Sequence, residues 1–295
     1  MPSTLFTEPP DWRWLIVLYF FLGGLAGGCY FLAALIDLFG RPTDRPLARL
    51  GYRLAFPLVI VCGILLIGDL GRPERFWHML LQSETSRPMF KAYSPMSFGA
   101  WGLLVFGFFA FLSFLATLCP ADRRDGLARL RPPGVLGALV AVLGGIAGFF
   151  LASYTGILLA VTNRPIWSDT TLLGLVFLVS SASTSIALLL LLGSRRVFLI
   201  GGLRALQRFD VAVLVIELIS LVALVASLGS LARLWLNEWG LLLALGVVGL
   251  GIVVPMMLHL RAHAPTAATA KAAAVFVLIG GFLLRVVVVL SSEAV

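Results

Sequence analysis

The first apolar run of the chain reads WRWLIVLYFFLGGLAGGCYF over residues 12–31. It has the length of a membrane-spanning helix, which needs about 20 apolar residues. Gly23, Gly24, Gly27 and Gly28 interrupt it, although each glycine costs a helix roughly 0.5–1 kcal/mol relative to alanine. The spacing of Gly23 from Gly27, and of Gly24 from Gly28, is the small-xxx-small pattern by which membrane helices approach each other closely. We therefore expect this helix to pack tightly against its neighbours.

The rest of the chain has the composition of a polytopic membrane protein. Of its 295 residues, 60% are hydrophobic and 12% are charged, and the mean hydropathy is +1.03. Soluble domains carry about 25% charged residues. The sequence therefore predicts an all-α integral membrane protein, a bundle of eight transmembrane helices that forms one domain over residues 1–295. The predicted helices cover residues 13–39, 52–68, 96–119, 133–161, 171–193, 210–230, 239–260 and 272–290.

Basic residues are distributed unequally between the loops. Most of the arginine and lysine residues outside the spans follow the first, third, fifth and seventh predicted helices. Such an excess marks cytoplasmic loops in membrane proteins. The net charge of +8 therefore indicates orientation, and it does not indicate a nucleic-acid partner. We expect both termini, and the long loop at 69–95, on the periplasmic side of a bacterial cytoplasmic (inner) membrane.

Histidine and cysteine are too few and too scattered to suggest a metal centre. His78 lies in a predicted outer loop, whereas His259 and His263 lie at the inner end of the seventh helix, where we expect them to be solvated or close to lipid headgroups. The three cysteines lie singly in separate apolar runs, and an iron–sulfur cluster takes four. No two histidines lie in different spans at one depth, as the axial ligands of a transmembrane haem do. The sequence thus predicts neither haem nor metal in this chain.

Among the ionisable residues inside predicted spans or at their ends, three are the functional candidates. Asp69 closes the second helix, Glu217 lies inside the sixth and Arg285 lies inside the eighth. Glu217 and Arg285 form either a structural polar pair or part of a proton pathway. The hydroxyl-rich run SSASTS at 180–185 would extend such a pathway, and Asp69 would be its outer member. Both interpretations stay open at this point.

Two tyrosines are predicted at similar depth below the outer surface. Tyr19 follows Trp12 by about two helical turns, which places it roughly 10 Å below that surface. Tyr154 precedes the break at residues 163–165, where the fourth helix returns to the same surface, and Asp69 ends the second helix nearby. Hydroxyl donors and an acid at one depth suit an amphipathic ligand with a polar head. A quinone is such a ligand, because its carbonyls accept hydrogen bonds and its reduced form releases protons to a group within hydrogen-bond reach.

Four stretches, in order along the chain, resemble the NrfD / polysulfide reductase membrane-subunit family. They are WRWLIVLYFFLGGLAGGCYF at 12–31, DLGRPERFWHML at 69–80 with SPMSFGAWG at 94–102, SYTGILLAVTNRPIW at 153–167, and GGFLLRVVVV at 280–289. The resemblance implies a haem-free anchor of a respiratory oxidoreductase that exchanges electrons between menaquinone or ubiquinone and a partner. The implied partner is a four-cluster ferredoxin-like iron–sulfur subunit, and such a complex also includes a molybdopterin or other catalytic subunit.

The resemblance also implies roles for individual residues. Tyr154, in the SYTG motif, is expected to hydrogen-bond a quinone carbonyl. Tyr19 stands where a polysulfide reductase of the family has a histidine, and it keeps a hydrogen-bond donor there. Asp69 is expected to accept a proton at the periplasmic face. Apart from the resemblance, further quinone contacts are expected from Gly23, Gly27 and Trp167, because the glycines lie about one turn below Tyr19 and their missing side chains leave a groove for an isoprenoid tail.

The outer loops are the expected docking surface for the iron–sulfur subunit, because electrons must pass directly from the quinone head to a cluster of the partner. Two other functions remain open. One is a proton or solute transporter, which Glu217 favours, although no inverted repeat is visible. The other is a purely structural anchor. The expected docking residues are Arg72, Arg75, Trp77, Arg164 and Trp167.

Overall fold

The computed structural model describes residues 12–120, 126–194, 200–261 and 267–292. It contains eight helices that are long and apolar enough to cross a membrane, which confirms the predicted all-helical fold and number of spans. Over the described residues, β-type pairing is limited to one bridge between Leu81 and Pro88. The helices are α1 (Trp14–Phe39), α2 (Arg45–Asp69), α3 (Pro95–Leu118), α4 (Val135–Ala160), α5 (Leu173–Gly193), α6 (Ile200–Ser227), α7 (Glu238–Leu260) and α8 (Ala267–Ser291).

Three helices begin earlier than the hydrophobic pattern predicts. α2 begins at Arg45 instead of residue 52, α6 at Ile200 instead of 210, and α8 at Ala267 instead of 272. Hydropathy marks only the segment inside the hydrocarbon. A helix continues beyond that segment, because its backbone hydrogen bonds are made within the helix itself. In α2 the additional turns carry Arg45 and Arg49, which the pattern assigned to a loop.

α7 departs from regular α-helical geometry in its middle. Leu242–Val253 forms a π-helix, in which each hydrogen bond spans one residue more than in an α-helix. Gly251 of this segment faces Gly280 of α8 so closely that a Cβ atom on either residue would overlap the backbone of the other. The two glycines therefore allow α7 to lie directly against α8.

The helices form two groups of four that meet where α1 and α4 pack against α5. In the first group, α1 contacts α2 and α4, and α3 closes the group against α2 and α4. In the second group, α5 contacts α6 and α8, and α7 closes the group against α6 and α8. Because α1 also packs against α5 and α8, it is the most buried of the eight helices.

Glycines of α1 lie at its contacts with α4 and α5. A Cβ atom on Gly27 would overlap the backbone carbonyl of Gly148 in α4. Cβ atoms on Gly24 and Gly28 would overlap the hydroxyls of Ser181 and Ser185 in α5. α1 therefore fits between α4 and α5 because these positions carry no side chain, and this is the close packing that the small-xxx-small pattern predicts.

Successive spans run in opposite directions, so each end of the first helix group gathers a defined set of residues. We call the end at which α1 and α3 begin and α2 and α4 end the Trp12 face; it contains Trp12, Asp69 and Tyr154. We call the opposite end the Arg49 face; it contains Arg49 and the first turn of α4. A cavity opens at each face.

Candidate functional site

A cavity of about 570 Å³ opens within the first helix group at the Trp12 face. One side each of α1, α2, α3 and α4 lines it, together with side chains from the short 3₁₀-helical segment Pro73–Met79 that follows α2. Its volume lies in the range of pockets that bind small molecules. The lining is mainly aliphatic and aromatic, as the side chains of Phe56, Ile60, Leu103 and Phe108 illustrate.

Helical periodicity brings the lining residues of each helix to one side. On α3 the cavity is bordered by Gly99, Leu103 and Gly107, which are four residues apart, and on α1 by Ile16 and Tyr19. The opposite sides of these helices are apolar too, because they face lipid in α3 and other helices in α1. A hydrophobic pattern therefore does not distinguish the wall of this cavity from the outer surface of the bundle.

The cavity is open toward the lipid between α2 and α3. Three of its lining residues on these helices, Ile60, Leu104 and Phe108, are 46%, 48% and 57% exposed. Gly63 of α2 and Gly107 of α3 also line it, and a Cβ atom on either would meet nothing within 4 Å. A lipid-soluble molecule therefore has a lateral route into the cavity from the bilayer.

Tyr154 of α4 supplies one of the polar groups of the cavity. Its hydroxyl donates a hydrogen bond to the carbonyl oxygen of Pro95 at 2.6 Å. Its ring stacks on Phe150 one turn earlier, with ring centroids 5.3 Å apart. Gly99 of α3 faces the hydroxyl so closely that a Cβ atom there would overlap it. The start of α3 thus fixes the position of the Tyr154 hydroxyl.

Tyr19 and Asp69 complete the polar end of the cavity. Tyr19 of α1 is buried and lines the cavity, and its hydroxyl makes no hydrogen bond within the part of the chain that the structure describes. Asp69, the last residue of α2, is half-buried and lines the same cavity. The structure thus brings together Tyr19, Tyr154 and Asp69, which were all predicted from the sequence as site residues.

Three other predicted contact residues do not line the cavity. A Cβ atom on Gly23 would lie behind Tyr19, in ordinary contact with that ring, and Gly27 packs against Gly148. Trp167 is fully buried and donates through Nε1 to the carbonyl oxygen of Val288 at 2.7 Å. Its ring stacks on Trp12, a lining residue, at a centroid distance of 5.5 Å, so it supports the cavity wall from behind.

Of the predicted docking residues, Trp167 is fully buried and therefore does not form part of an exposed docking surface, and none of the five lines the cavity. Arg72, Arg75 and Trp77 are exposed on the segment that follows α2, and Phe76 of the same segment lines the cavity. Arg164 is half-buried, with its guanidinium carbon 5.6 Å from the ring centroid of Trp167. The docking of a partner on these residues stays a prediction.

Several residues of the site were not predicted from the sequence. Trp12 lines the cavity from a position just before α1, and Gly99 and Gly107 line it from α3. The available signal was weak. Two glycines spaced by two helical turns leave one face of a helix thin, but Leu103 lies between Gly99 and Gly107 on that face of α3.

A second polar cluster lies in the other helix group, around Arg285 of α8. Arg285 is fully buried and donates hydrogen bonds to the hydroxyls of Ser180 and Ser181 at 2.5 and 3.0 Å. It also donates to the carbonyl oxygens of Gly281 and Phe177 at 2.9 and 3.2 Å. These acceptors offset the cost of burying a charged group.

Glu217 of α6 faces the same cluster. Its buried side chain lies beside the hydroxyls of Ser180 and Ser183 and interacts electrostatically with Arg285. Ser180 therefore contacts both the carboxyl group of Glu217 and the guanidinium group of Arg285. The Ser183 hydroxyl is buried and has no hydrogen-bond partner within the described residues. The structure thus places Glu217 and Arg285 in one polar cluster, and proton movement through it stays a prediction.

His259 is buried, contrary to the expectation that it is solvated. Its Nε2 atom lies 3.2 Å from a carboxylate oxygen of Asp210, and the side chains of the two residues are 5% and 1% exposed. The expectation was wrong because α6 begins at Ile200, so Asp210 lies inside a packed helix and not at the start of one. His263 lies outside the described residues.

Metal-ligating side chains do not gather in the part of the chain that the structure describes. Within those residues, no group of three or more His, Cys, Asp or Glu side chains is placed to hold a metal ion. The cysteines Cys29, Cys62 and Cys119 are free and well separated in sequence. The absence of haem and metal from this chain stays a prediction.

The fold and the cavity together define a class: a polytopic helical membrane protein with a lipid-accessible ligand cavity at one face. The family described as Polysulphide reductase, NrfD, matches residues 5–295. A polysulfide reductase chain of Wolinella succinogenes is 30% identical over 274 residues, which cover 84% of this chain and 82% of that protein. A selenate reductase subunit of Mesobacillus selenatarsenatis is 29% identical over 84 residues, which cover 28% of this chain and 20% of that protein. The chain belongs to the NrfD polysulphide reductase family, as the motifs indicated.

Proposed function

We propose that this chain is the quinone-binding membrane subunit of a respiratory reductase complex. It exchanges electrons between the menaquinone or ubiquinone pool and an iron–sulfur partner. The observation that carries the proposal is the cavity at the Trp12 face, which is apolar and open to lipid and has two phenol hydroxyls and a carboxylate at one end. Membership of the polysulphide reductase family supports it, since the relatives named above are parts of reductases.

The cavity fits a quinone because its polar atoms are few and confined to one end. The Tyr19 hydroxyl is available to donate a hydrogen bond to a quinone carbonyl. The Tyr154 hydroxyl already donates to Pro95, so its oxygen is left to accept a hydrogen bond from the O–H of a quinol. Asp69, at the same end, is a proton acceptor near the surface. The quinone supplies two-electron chemistry coupled to two protons, and the chain supplies position and proton transfer.

The partner follows from the place of the cavity. The head of a ligand bound beside Tyr19 and Tyr154 lies near the Trp12 face, so a metal cluster docked on that face comes close to it. We propose that a four-cluster ferredoxin-like subunit docks there, on the surface that includes Arg72, Arg75 and Trp77, and that a molybdopterin or other catalytic subunit binds beyond it. The basic loops at the Arg49 face favour a cytoplasmic location for that face in a bacterial cytoplasmic membrane. The Trp12 face, both termini and the site of proton release are then periplasmic.

A binding measurement tests the quinone site directly. The full-length chain is placed in lipid nanodiscs freed of quinone and titrated with a short-chain naphthoquinone and a short-chain benzoquinone. We expect one saturable site per chain. We expect Gly99→Ala to weaken binding about tenfold, because the added methyl group overlaps the Tyr154 hydroxyl and displaces a hydrogen-bonding group. Gly68→Ala is the matched control, since a Cβ atom on Gly68 meets nothing within 4 Å. A chain that shows no saturable binding of either quinone contradicts the proposal.

The buried polar cluster of the second helix group favours a second candidate function, proton translocation. Asp210 and Glu217 lie two turns apart on α6, and Glu217 lies beside Ser180, which bonds Arg285. Ionisable groups in spans mark proton routes in many membrane proteins. Under this candidate, the cluster carries protons between the Arg49 face and the interior of the bundle with no chemistry on the quinone.

Proton flux through vesicles that contain only this chain tests the second candidate. If the cluster conducts protons, an imposed pH gradient decays faster with the wild-type chain than with Glu217→Gln, which removes the titrating group and keeps the shape of the side chain. The expected difference is several-fold in the initial rate, measured with a pH-sensitive dye inside the vesicles. Equal decay rates in the two preparations leave the cluster with a structural role only.

A further inference from the structure

A second cavity, of about 290 Å³, opens at the Arg49 face between the same four helices. It lies at the opposite end of the first helix group from the candidate quinone site and shares no lining residue with it. Its walls come from the end of α1, the start of α2, the end of α3, the 3₁₀-helical segment Gly126–Leu130 and the start of α4. The function proposed above makes no use of this cavity.

The cavity at the Arg49 face is strongly basic. Four arginines and one aspartate, Asp37, line it, which leaves an excess of three positive charges. Asp37 is nearly buried, and its carboxylate lies 4.0 Å from Nε of Arg45. Arg131 donates hydrogen bonds to backbone carbonyls at the end of α3 and is held in place by them. Arg49 and Arg129 make no hydrogen bond or ion pair within the described residues, so their guanidinium groups are available to a ligand.

Two further groups at this cavity are donors without acceptors. The hydroxyl of Tyr52, a residue that is 3% exposed, is buried and has no hydrogen-bond partner within the described residues. The first turn of α4, at residues 134–136, also lines the cavity. The amide groups of a first helical turn lack intrahelical acceptors, and the helix dipole favours an anion there. Guanidinium groups, a phenol hydroxyl and a helix start thus line one cavity.

We propose that this cavity binds a phosphate group, held by Arg49 and Arg129 and by the Tyr52 hydroxyl. A phosphate offers several acceptor oxygens and negative charge, and arginine pairs with it through two parallel hydrogen bonds. The source is either the headgroup of an anionic phospholipid or free phosphate. The structure favours the lipid, because Val135 and Leu136 at the rim are 81% and 51% exposed and offer an apolar surface for acyl chains.

The test is a titration of the full-length chain, purified in detergent and freed of lipid. The probes are a short-chain phosphatidylglycerol and inorganic phosphate, and binding is measured by equilibrium dialysis. We expect one saturable site for at least one of these probes. Arg49→Gln is expected to weaken binding about tenfold or more, since hydrogen bonds to charged groups are the stronger ones. Tyr52→Phe removes a single oxygen from a buried ring and is expected to weaken binding several-fold.

Arg208→Gln is the control, because Arg208 is an exposed arginine of α6 that does not line the cavity. Tight binding of phosphatidylglycerol with weak binding of phosphate identifies a lipid site. Similar affinity for both probes identifies a site for free phosphate. Two results overturn the proposal. Either neither probe shows saturable binding, or Arg49→Gln and Tyr52→Phe both bind the probe with the affinity of the wild type. If Arg49→Gln fails to fold, the isosteric Tyr52→Phe still decides between these results.

Discussion

Replacement of Tyr154 by phenylalanine is expected to lower the quinol-dependent turnover of the assembled complex about 100-fold. The fold fixes the position of this hydroxyl through its 2.6 Å hydrogen bond to the carbonyl oxygen of Pro95 and its contact with Gly99. Under the proposed function, its oxygen accepts a hydrogen bond from the quinol as protons leave. Phenylalanine keeps the ring stacked on Phe150 and removes only this oxygen.

The measurement compares two electron donors. Under the proposed function, turnover with a short-chain quinol requires the cavity. A reduced viologen dye delivers electrons directly to the other subunits, so turnover with the dye is expected to stay unchanged. Tyr93→Phe is the matched control, because Tyr93 is 83% exposed and does not line the large cavity. A Tyr154→Phe complex with normal quinol turnover contradicts the role of Tyr154. Equal loss with both donors points instead to failed assembly.

Gly107→Phe is expected to reduce quinol-dependent turnover more than tenfold by filling the cavity. A Cβ atom on Gly107 meets nothing within 4 Å, so the backbone accommodates the change and the aromatic ring extends into the space beside Phe108 and Leu104. The ring then occupies volume that the quinone head or its tail needs. Because the change excludes a ligand and leaves the chemical groups in place, the Michaelis constant for quinol is expected to rise.

Gly68→Phe separates this effect from the general consequences of removing a glycine from a membrane helix. Gly68 lies in α2, a Cβ atom there also meets nothing within 4 Å, and the residue does not line the cavity. We expect Gly68→Phe to retain quinol turnover and both variants to unfold at temperatures near that of the wild type. If Gly107→Phe turns over quinol normally, the cavity is not the quinone site.

The number of helices could be predicted from the sequence because the bilayer imposes one length on every span. In hydrocarbon each backbone polar group needs an internal partner, so eight long apolar runs become eight helices. The starts of α2, α6 and α8 could not be predicted, because polar turns outside the hydrocarbon remain helical. The burial of His259 was missed for this reason: its partner Asp210 is the first residue of the predicted sixth span, whereas α6 begins ten residues earlier, at Ile200.

The depth of the candidate site residues in the membrane could be predicted from the sequence, but the side of each helix that faces the cavity could not. Counting residues from the ends of the spans places Tyr19, Tyr154 and Asp69 at one level, and the structure places all three on the same cavity. Counting residues along a span gives the depth of a side chain, but it does not show which side of α1 faces the cavity. The predicted quinone contacts of Gly27 and Trp167 were wrong for this reason, since Gly27 faces Gly148 and Trp167 lies behind Trp12. In a membrane helix, the sides that face lipid and cavity are equally apolar, so the pattern does not separate them.

The gap between α2 and α3 has a consequence for how inhibitors of this protein behave. A compound that reaches the cavity through the gap beside Gly63 and Gly107 does so from the acyl chains, where it has first accumulated. Its potency then follows its mole fraction in the lipid, and adding protein-free liposomes to an assay dilutes it as effectively as adding buffer dilutes a water-soluble drug. Dose–response curves for this protein are comparable between laboratories only at a stated ratio of lipid to protein.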